Sequence, residues 1–584
     1  MPAQNKKEYP LDVIRHSASH VMAYAINQLY PEAQFGIGPS IENGFYYDVN
    51  FPQGLKLTEQ DLVLIKNKMI QVIKDKIPFE KKEITANEAK KLFSNLNQPY
   101  KLEIIDELVS KGNGNVSIYK LGDFVDLCSG PHVSNSGEIS CFELLSIAGA
   151  YWKGNEKNEM LTRIYGTAFH NENDLMQYIN TLEESKLRDH RILGQQLDLF
   201  CFSDLVGPGL PLFTPRGTAM KEALQKKIED ICYSKGFRKV MTPHIAKKGL
   251  FKISGHADKY PEELFHVNCD RYQEYVMKPV QCPHQTQIYA SRPRSYKDLP
   301  IRYMESEKQY RAEKSGELSG LSRVLAITVE DGHSFCTVDQ VKSEVKLMVE
   351  IIKEFYSSLG LWGTNWISLS VRDPKHPEKY IGDPKDWVVC EDMLQEVSDE
   401  MGLNAIRCEG EAAVYGPKLD FMFKDALGRQ IQIPTVQVDF ATPKRFNLEY
   451  TNEKGQKVNP IMVHRAILGS YERLLVLLIE YFGGDFPFWL APEQIRILTI
   501  KEDYNNYAKE ILMILESNRI RAEVDYRNIS LSDKMKSAHE YKIPYLLIIG
   551  DKELKNKVVT VRNRVTGEQE VINKDSIVEY FSNK

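Results

Sequence analysis

Long apolar runs are missing from this sequence. No stretch of its 584 residues approaches the ~20 apolar residues that a membrane-spanning helix needs. The N-terminus, Met1 to Pro10, is polar and contains no apolar signal-peptide core. Nine cysteines are scattered along the chain, which is too few for a disulfide framework in a protein of this length. These absences exclude a membrane protein and a disulfide-rich secreted scaffold, and they predict a cytoplasmic protein.

An excess of basic residues is missing too. Lys and Arg number 75 against 80 Asp and Glu, so the formal net charge is -5. This balance excludes a large non-specific basic surface, but RNA recognised through local patches and a few base contacts stays compatible with it. The 42% hydrophobic and 27% charged content is typical of folded protein, and the length predicts about three or four domains.

Periodicity divides the chain into segments of different character. Apolar residues at helical spacing run from Asp12 to Tyr30, and the following GIGPSIENGFYYDV alternates like a strand, which predicts an α/β domain. A charge-dense amphipathic segment from Thr167 to about Leu197 predicts a helical linker.

Two further units follow the linker. Short apolar runs bounded by Gly and Pro, from Asp198 to about Phe488, predict an antiparallel sheet that carries helices. Beyond Pro492, the runs IRILTI, RAEVDY and YLLIIG alternate with helical segments and predict a small βαβ domain with a mainly parallel sheet. We therefore predict an α+β multidomain protein with domains at residues 1–185, 186–488 and 489–584.

Three patterns in the central unit carry candidate ligand-binding residues. They are the turn at Pro243 and His244, a strand-loop-strand hairpin over residues 309–335, and a segment over residues 464–484 that is predicted to be a helix. Arginines delivered to one crevice suit a polyphosphate such as ATP, although any single arginine equally suits a surface salt bridge. The candidate residues are Arg311, Glu313, Arg323 and Arg473.

Together these patterns resemble motifs 1, 2 and 3 of the class II aminoacyl-tRNA synthetases, and the residues around them are similar to the threonyl-tRNA synthetase family from about His16 to Arg564. The resemblance implies an antiparallel-sheet catalytic domain, a homodimer, and ATP-dependent attachment of L-threonine to tRNA(Thr). It implies that Arg311 holds the α-phosphate, that Arg323 and Arg473 hold the β- and γ-phosphates, and that Glu313 lies on the adenine side. Arg311 and Arg473 are thus the implied catalytic residues, with Mg²⁺ sharing the neutralisation of phosphate charge.

Cys282, His333 and His464 are too widely spaced to be identified as a metal site by pattern, since buried cysteines and hydrogen-bonded histidines are common. The resemblance implies that they are the ligands of one Zn²⁺ with an open coordination position, and that Asp331 also contacts the substrate. A metal that binds the amino and hydroxyl groups of threonine rejects valine, which lacks the hydroxyl. Serine keeps both groups, so a second sieve is required.

The N-terminal unit contains two pairs of residues that are four apart, His16 with His20 and Cys128 with His132. This pattern fits a zinc site, two unrelated features or a hydrolytic pocket. The segment resembles the editing domain of bacterial threonyl-tRNA synthetases, which implies hydrolysis of mischarged seryl-tRNA(Thr). The editing residues so implied are His16, His20, Asp126, Cys128 and His132.

The C-terminal unit resembles the anticodon-binding domain shared by several class II synthetases. Asn528, Glu553 and Arg562 match positions that read anticodon bases, which single-stranded loops expose to such side chains. Glu553 and Arg562 equally suit an interpretation as solvated charges.

Some features depart from the family pattern. The chain begins almost at the editing helix, so we expect the usual ubiquitin-like N-terminal domain to be absent. The departing residues are Gln285 after Cys-Pro-His, Val329 in place of a glutamine, and Lys536 and Lys542 in place of arginines. These changes keep two alternatives open, a synthetase-like protein that senses tRNA or mRNA without charging it, and an enzyme for another amino acid such as serine.

Overall fold

The computed structural model describes residues 9–52, 55–155, 157–425, 428–582 and 584. Most of the polar N-terminal segment, residues 1–8, therefore lies outside the described residues. The chain divides into two compact units, Met1–Glu183 and Glu184–Lys584. Among the helices in the described part of the chain, none combines the length and the apolar character that crossing a membrane requires. The domain limits 1–185, 186–488 and 489–584 stay a prediction.

The first unit combines helices with antiparallel sheets. Its helices, within the described residues, are α1 (Leu11–Leu29), α2 (Glu59–Lys74), α3 (Ala86–Asn95) and α4 (Pro99–Ser110). Its strands, within the same residues, are β1 (Gln34–Phe35), β2 (Ser40–Ile41), β3 (Gly44–Asn50), β4 (Phe79–Thr85), β5 (Asn115–Leu121), β6 (Phe124–Leu127), β7 (Cys141–Tyr151) and β8 (Met160–Phe169). The helix predicted from Asp12 to Tyr30 is α1.

Local sequence signals place these elements. Thr58 and Thr85 close capping boxes at the starts of α2 and α3, with the carboxylates of Asp61 and Glu88 bonded back to the cap residues. One sheet has the order β1-β3-β8-β7 with β2 on β3, and the other has the order β4-β5-β6. The apolar side of α1 is buried between α2 and the first sheet, so one face of α1 is fixed on the core.

The segment predicted to be a helical linker is helical over most of its length, but not from its first residue and not as one helix. Thr167 lies in β8, and the rest of the segment forms two helices, α5 (Glu172–Leu187) and α6 (His190–Gln196). The break lies at Asp189, whose side chain accepts a hydrogen bond from the backbone N–H of Arg191 and caps α6. A capping residue inside a helical pattern thus starts a new helix.

The second unit contains the largest sheet in the described residues. Besides α6 and the end of α5, its helices up to residue 482 in the described part of the chain are α7 (Pro215–Ser234), α8 (Lys248–Ser254), α9 (His256–Lys259), α10 (Cys282–Ala290), α11 (Val341–Ser358), α12 (Pro384–Glu400), α13 (Thr442–Arg445) and α14 (Tyr471–Phe482). Its strands up to residue 470 are β9 (Phe200–Cys201), β10 (Leu212–Phe213), β11 (Arg238–Lys239), β12 (Ile245–Lys247), β13 (His266–Cys269), β14 (Tyr272–Met277), β15 (Ile301–Tyr310), β16 (Ala326–Cys336), β17 (Trp366–Val371), β18 (Ile406–Glu409), β19 (Lys418–Lys424), β20 (Gln430–Asp439), β21 (Tyr450–Thr451), β22 (Lys457–Val458) and β23 (Ile461–Ser470).

The large sheet has the order β11-β15-β16-β23-β20-β19-β17-β18. Its central pairings are antiparallel, and the pairs β11 with β15 and β17 with β18 are parallel. Helices α7, α11 and α14 contribute to the same core. The predicted antiparallel sheet that carries helices is confirmed.

The helix predicted over residues 464–484 is wrong in its first part. Residues up to Ser470 belong to β23, which lies between β16 and β20 and pairs with both. Pairing on two sides therefore overrides an apolar spacing that also suits a helix. The Ser470 side chain accepts from the backbone N–H of Arg473 at 3.2 Å and starts α14, and Gly483 with φ +56 ends it.

The C-terminal region adds a smaller sheet of order β25-β24-β26-β27-β28. Its strands are β24 (Ile495–Thr499), β25 (Ala522–Asp525), β26 (Tyr545–Ile549), β27 (Val558–Asn563) and β28 (Gln569–Asn573), and its helices are α15 (Asn505–Ser517), α16 (Leu531–Glu540), α17 (Asp551–Asn556) and α18 (Ile577–Ser582). Strand β24 is parallel to β25 and β26, whereas β26–β27 and β27–β28 are antiparallel. The prediction of a mainly parallel sheet is therefore wrong for half of the pairs, because the connection through the six-residue α17 is too short for a parallel crossover.

Candidate functional site

The predicted metal ligands come together in the large sheet. His333 on β16 lies directly opposite His464 on β23, and Cys282 is the first residue of α10. All three side chains are buried, and their ligating atoms lie within 4.8 Å of one another. Strand pairing thus brings together two histidines that are far apart in the sequence.

Outer partners orient both imidazoles. His333 Nδ1 is 2.8 Å from Gln285 Oε1, and His464 Nε2 is 3.0 Å from Asp439 Oδ2. Because both partners are acceptors, each of these ring nitrogens carries the proton. The remaining nitrogens, His333 Nε2 and His464 Nδ1, then present lone pairs to each other at 3.0 Å, and a cation between them and the Cys282 thiolate would relieve that contact.

Burial also governs the ionisation of these groups. It raises the pKa of the Cys282 thiol, and together with His464 it lowers the pKa of His333. A bound cation would displace the thiol proton, and one thiolate with two imidazole lone pairs is a donor set typical of Zn²⁺ with an open position, so the residues present fit that metal. Asp331 Oδ1 lies 3.7 Å from His333 Nε2, and burial raises the pKa of Asp331 to about 7.

A cavity of about 810 Å³ in the same unit contains all four predicted ATP-binding residues. Those residues are Arg311, Glu313, Arg323 and Arg473. They come from the loop between β15 and β16 and from the first turn of α14, as the hairpin pattern predicted. Arg445 and His256, which sequence reasoning missed, also line this cavity.

Positive charge is concentrated in this cavity. Burial lowers the pKa of Arg473, and the nearby positive charges of Arg311 and Arg323 lower it further. Such a cluster of guanidiniums favours the binding of an anion. Arg323 is paired with Glu313 and Glu317 at 2.7 Å each. A phosphate could therefore exchange with these carboxylates as the partner of Arg323.

His256 is neutral near pH 7, because burial and the charge of Arg311 lower its pKa to about 4. Its Nδ1 lies 2.9 Å from Ser254 Oγ. In the sequence it stands in an unremarkable SGHADKY segment, so no pattern could have singled it out.

Tyr415 joins the metal cluster to the cavity. It lines the cavity, its ring stacks on His464 with centroids 5.1 Å apart, and its hydroxyl donates to Gln437 Oε1 at 2.6 Å. Gln437 is the strand partner of His464 on β20. The Cys-His-His cluster therefore lies next to the arginine-lined cavity, with Tyr415 between them.

The first unit holds a second cluster. The ligating atoms of His16, His20, Cys128 and His132 lie within 4.8 Å of one another. Cys128 Sγ is 3.3 Å from His16 Nε2 and 3.4 Å from His132 Nε2. His16 and His20 project from one face of α1, and the loop after β6 supplies the other two residues.

Asp126 stands at the centre of a buried network next to this cluster. Its carboxylate lies 3.4 Å from His20 Nδ1 and 2.5 Å from Lys101 Nζ, and the Tyr47 hydroxyl donates to it. Lys101 and Tyr47 were missed, because a lysine within a charged helix and a tyrosine in a strand carry no signal of their own. A buried lysine that is paired with a carboxylate is nevertheless a mark of a functional site.

The titratable groups of this cluster are neutral near pH 7. Burial is the main cause of the lowered pKa values of His16, His20 and His132. Burial also raises the pKa of the Cys128 thiol to about 11. Neutral imidazoles can accept a proton from water, which is the chemistry that hydrolysis needs.

The predicted anticodon residues lie in the C-terminal sheet. Asn528 is exposed and follows β25, and Glu553 on α17 follows β26, so both stand beyond the carboxyl ends of parallel strands. Glu553 accepts hydrogen bonds from Gly550 N at 2.9 Å and from Thr560 Oγ1 at 2.8 Å. Arg562 lies within β27, and its Nε is buried without a partner in the described residues.

Gln285 and Val329 are two of the positions that depart from the family pattern. Gln285 orients the metal-facing His333, as described above. Val329 lies on β16, half-buried, opposite Glu307 and Ser470 in the neighbouring strands. His244, at the predicted turn, contacts the Tyr310 hydroxyl at 3.0 Å and Glu307 at 3.2 Å and is not among the residues that line the cavity.

Three family models match the chain. Residues 265–482 match the tRNA synthetase class II core domain (G, H, P, S and T), and residues 494–584 match an anticodon binding domain. Residues 116–165 match the threonyl and alanyl tRNA synthetase second additional domain.

Whole-chain relatives agree with these models. A threonine–tRNA ligase of Cytophaga hutchinsonii is 42% identical over 571 residues, which is 97% of this chain and 88% of that protein. One from Thermosynechococcus vestitus is 45% identical over 95% of this chain and 92% of its own length. A solved structure of the RNA binding domain of threonyl-tRNA synthetase from Cryptosporidium parvum Iowa II has a TM-score of 0.64 at 34% identity, and the match covers 68% of this chain and 98% of that one.

Proposed function

Because this chain belongs to the threonine–tRNA ligase family, we propose that it activates L-threonine with ATP, transfers it to tRNA(Thr), and hydrolyses tRNA(Thr) that carries serine. One observation carries the proposal: the Cys282, His333 and His464 cluster lies next to a cavity that is lined by the predicted ATP arginines, and Tyr415 contacts both. A substrate bound to both parts would have its reacting groups side by side.

In the activation step, the threonine carboxylate attacks the α-phosphorus of ATP, the bond from that phosphorus to the bridging oxygen breaks, and pyrophosphate leaves. Arg311 would hold the α-phosphate, and Arg323 and Arg473 would hold the β- and γ-phosphates. Glu313 would leave Arg323 and face the adenine. Once ATP has replaced Glu313 as the partner of Arg323, the bound guanidiniums would stabilise the charge of the transition state without further rearrangement. Mg²⁺ would enter with ATP.

Cys282, His333 and His464 would hold one Zn²⁺. When bound, the ion supplies a Lewis acid with an open position for the amino and hydroxyl groups of threonine. Gln285 and Asp439 keep both imidazoles in the tautomers that leave a lone pair for the metal, and Asp331 lies close enough to contact the same substrate. Valine would be rejected because it lacks the hydroxyl.

The cluster of the first unit would remove serine. A neutral histidine among His16, His20 and His132 would take a proton from the attacking water, and Cys128 would line the pocket. Asp126 would keep His20 in place and bind Lys101, so that the network stays ordered without substrate. The products are free serine and tRNA(Thr).

The C-terminal residues Asn528, Glu553 and Arg562 would read anticodon bases. The unpartnered Nε of Arg562 supports this role, since a buried donor without a partner is costly unless a ligand satisfies it. Hydrogen-bonded Glu553 would accept from a base with a side chain that is already oriented.

A homodimer would form through the region that includes α7 and β11. Large apolar side chains are exposed there, with Leu205 fully exposed and Met241 81% exposed. A second copy that covers them would remove this exposed apolar surface from water. The enzyme would act in the cytoplasm, where its tRNA is used.

Threonine-dependent exchange of pyrophosphate into ATP, followed by charging of tRNA(Thr), tests the proposal. We expect purified zinc-loaded protein to perform both reactions. A protein that only senses RNA would be silent in the exchange reaction, and exchange that depends on serine rather than threonine would point to another amino acid. Either result would overturn the proposed function.

A further inference from the structure

The loop between β15 and β16 (residues 311–325, the hairpin loop) carries three of the residues proposed to bind ATP. The fourth, Arg473, belongs to α14. Both groups meet one nucleotide only if the hairpin loop keeps a fixed position relative to α14. One direct contact supports this, since Arg473 Nε donates to the Ser322 carbonyl at 3.1 Å.

A second and more buried contact passes through His190, the first residue of α6. Its side chain is 7% exposed. Its Nδ1 lies 2.8 Å from Glu480 Oε1, and its Nε2 accepts from the backbone N–H of Leu321 at 3.2 Å. Because Nε2 accepts, the proton is on Nδ1 and is donated to Glu480. Both ring nitrogens are thus occupied.

Asp189, His190 and Glu480 are close enough to resemble a metal site. Their bonding argues against that use. Asp189 caps α6 and pairs with Arg191, and the imidazole makes a hydrogen bond on each side. The cluster connects protein segments and leaves no free lone pair on the ring.

Glu480, the hydrogen-bond partner of His190, lies on the same helix as Arg473. Glu480 and Arg473 lie seven residues apart on α14, so they lie on the same face of the helix. The helix that supplies a phosphate-binding arginine therefore also fixes His190, and His190 fixes the hairpin loop at Leu321.

Gly320 allows this close approach. A Cβ at this position would lie 2.3 Å from His190 Nε2, and the residue has φ +48, a conformation that favours glycine. The backbone of the hairpin loop rests directly on the edge of the imidazole ring. A side chain here would displace the loop from the histidine.

We propose that His190 is a positioning residue for ATP, which holds the hairpin loop at Leu321 in register with Arg473 through Glu480. The proposal rests on the proposed function, since it assumes that the cavity binds ATP. His190 does not line the cavity and touches no substrate. Its effect would therefore be on the affinity for ATP and not on recognition of threonine.

Two substitutions of His190 test its two hydrogen bonds, to Glu480 and to Leu321, separately. Asparagine at position 190 can keep a donor near the place of Nδ1, toward Glu480, but its side chain is too short to reach Leu321. Glutamine can place a carbonyl oxygen near the place of Nε2. In threonine-dependent pyrophosphate exchange, we expect His190→Asn to raise the KM for ATP about tenfold, equivalent to about 1.4 kcal/mol, with the KM for threonine unchanged. His190→Gln should restore most of the loss.

Hydrogen exchange at the Leu321 amide gives a readout that needs no substrate. We expect faster exchange in His190→Asn than in the wild type or His190→Gln. The same substitution at His376, an exposed histidine paired with Glu378, should change neither measurement. An unchanged KM for ATP in His190→Asn, or an equal rise of both KM values, would overturn the proposal.

If His190→Asn does not fold, Gly320→Ala displaces the hairpin loop while the His190–Glu480 bond stays. The same selective rise of the KM for ATP is expected, and an ordinary KM in the folded variant would refute the positioning role. Failure of the proposed function would give a different result from failure of the positioning role. The wild type would then show no threonine-dependent exchange, whereas hydrogen exchange at the Leu321 amide would still report on the contact between His190 and the hairpin loop.

Discussion

Cys282, His333 and His464 are buried, and so is His20 of the histidine cluster in the first unit, whereas His16, Cys128 and His132 are partly buried. Burial favours the neutral forms of Cys282, His333, His20 and Cys128. In the cluster of Cys282, His333 and His464, the sulfur and nitrogen donors face one another and could bind a cation, because Gln285 and Asp439 orient the two imidazoles. In the histidine cluster of the first unit, neutral imidazoles beside Asp126 are ready to accept a proton. Under the proposed function, similar residue types would serve different chemistry because their partners differ.

Removing His20 tests the editing cluster. We expect His20→Ala to leave charging with threonine unchanged and to allow seryl-tRNA(Thr) to accumulate, because the imidazole nearest Asp126 is lost. Hydrolysis of preformed seryl-tRNA(Thr) measures the effect, and a loss of about 10²-fold or more is expected for a general base. His170→Ala, at an exposed histidine of the same unit, is the control. Undiminished hydrolysis in His20→Ala would remove the assignment.

The pH dependence of editing follows from the same burial. A histidine acts as a base only when neutral, so the rate falls as pH drops through its pKa. The pKa values of His16, His20 and His132 are lowered from the ordinary 6.5, mainly by burial. We expect the rate of seryl-tRNA(Thr) hydrolysis to stay level as pH falls from 7.5 through 6.5 and to decline only below that. An acid limb centred at 6.5 or above would contradict the neutral-imidazole account.

At the scale of elements, the junction of β23 and α14 organises the catalytic unit. β23 places His464 opposite His333, and six residues later the cap at Ser470 starts the helix that carries Arg473. One strand-to-helix transition therefore carries both a proposed metal ligand, His464, and a proposed phosphate ligand, Arg473. The direction of α14 depends on its first turn.

Loss of the cap should disturb both stability and nucleotide binding. We expect Ser470→Ala to lower the free energy of unfolding by about 1 kcal/mol, because the backbone N–H of Arg473 loses its partner. The KM for ATP in pyrophosphate exchange should rise with it. Thermal unfolding and exchange kinetics measure the two effects.

Ser530→Ala is the matched control, since Ser530 caps α16 in the same way, with its Oγ accepting from Asp533 N at 3.1 Å. It should cost similar stability and leave the KM for ATP unchanged. Equal changes of the KM in both variants would show that the effect is a general loss of stability and not one of α14.

Several elements were predictable because their signals are local. The helix α1, the hairpin of β15 and β16 and the body of α14 follow from apolar spacing and turn residues. The start of residues 464–484 was not predictable in this way, because the pairing of β23 with β16 and β20 is decided by distant segments. The antiparallel pairing of β26 with β27 was missed for another reason. The connection through α17 is too short for a parallel crossover, and the sequence prediction did not take that length into account.

In the candidate sites too, residues whose role depends on distant neighbours could not be predicted from the sequence. The predicted ligands and arginines came from family resemblance and do lie together. Lys101, His256 and Tyr415 were missed, because their importance arises from burial and from neighbours far along the chain. Membership of the threonine–tRNA ligase family, predicted from motifs, is confirmed by relatives that match nearly the whole chain.

At the scale of the whole molecule, exposed apolar residues predict the homodimer. We expect the wild type to sediment at twice the chain mass of 67.1 kDa, and Leu205→Asp to shift it toward 67.1 kDa, because a charge would be buried at the interface. Met513→Asp, at an exposed apolar residue of α15, should not change the mass. A wild-type protein that sediments as a single chain would contradict the dimer.

Two successive selections explain why one chain carries two histidine sites. The site of the second unit would separate threonine from valine by its hydroxyl, and the site of the first unit would remove the serine that this test accepts. Neither site would be sufficient alone, because the site of the second unit would also accept serine and the editing site of the first unit would not exclude valine.

The most direct measurement of this account is pyrophosphate exchange with threonine and with valine, together with zinc content, in the wild type and in Cys282→Ser. We predict one zinc per wild-type chain and a preference for threonine over valine on the order of 10⁴ in kcat/KM. Cys282→Ser should lose both zinc and exchange, whereas Cys269→Ser, at an exposed cysteine, should keep both. Zinc-free protein that activates threonine normally, or a preference over valine within about 10²-fold, would contradict it.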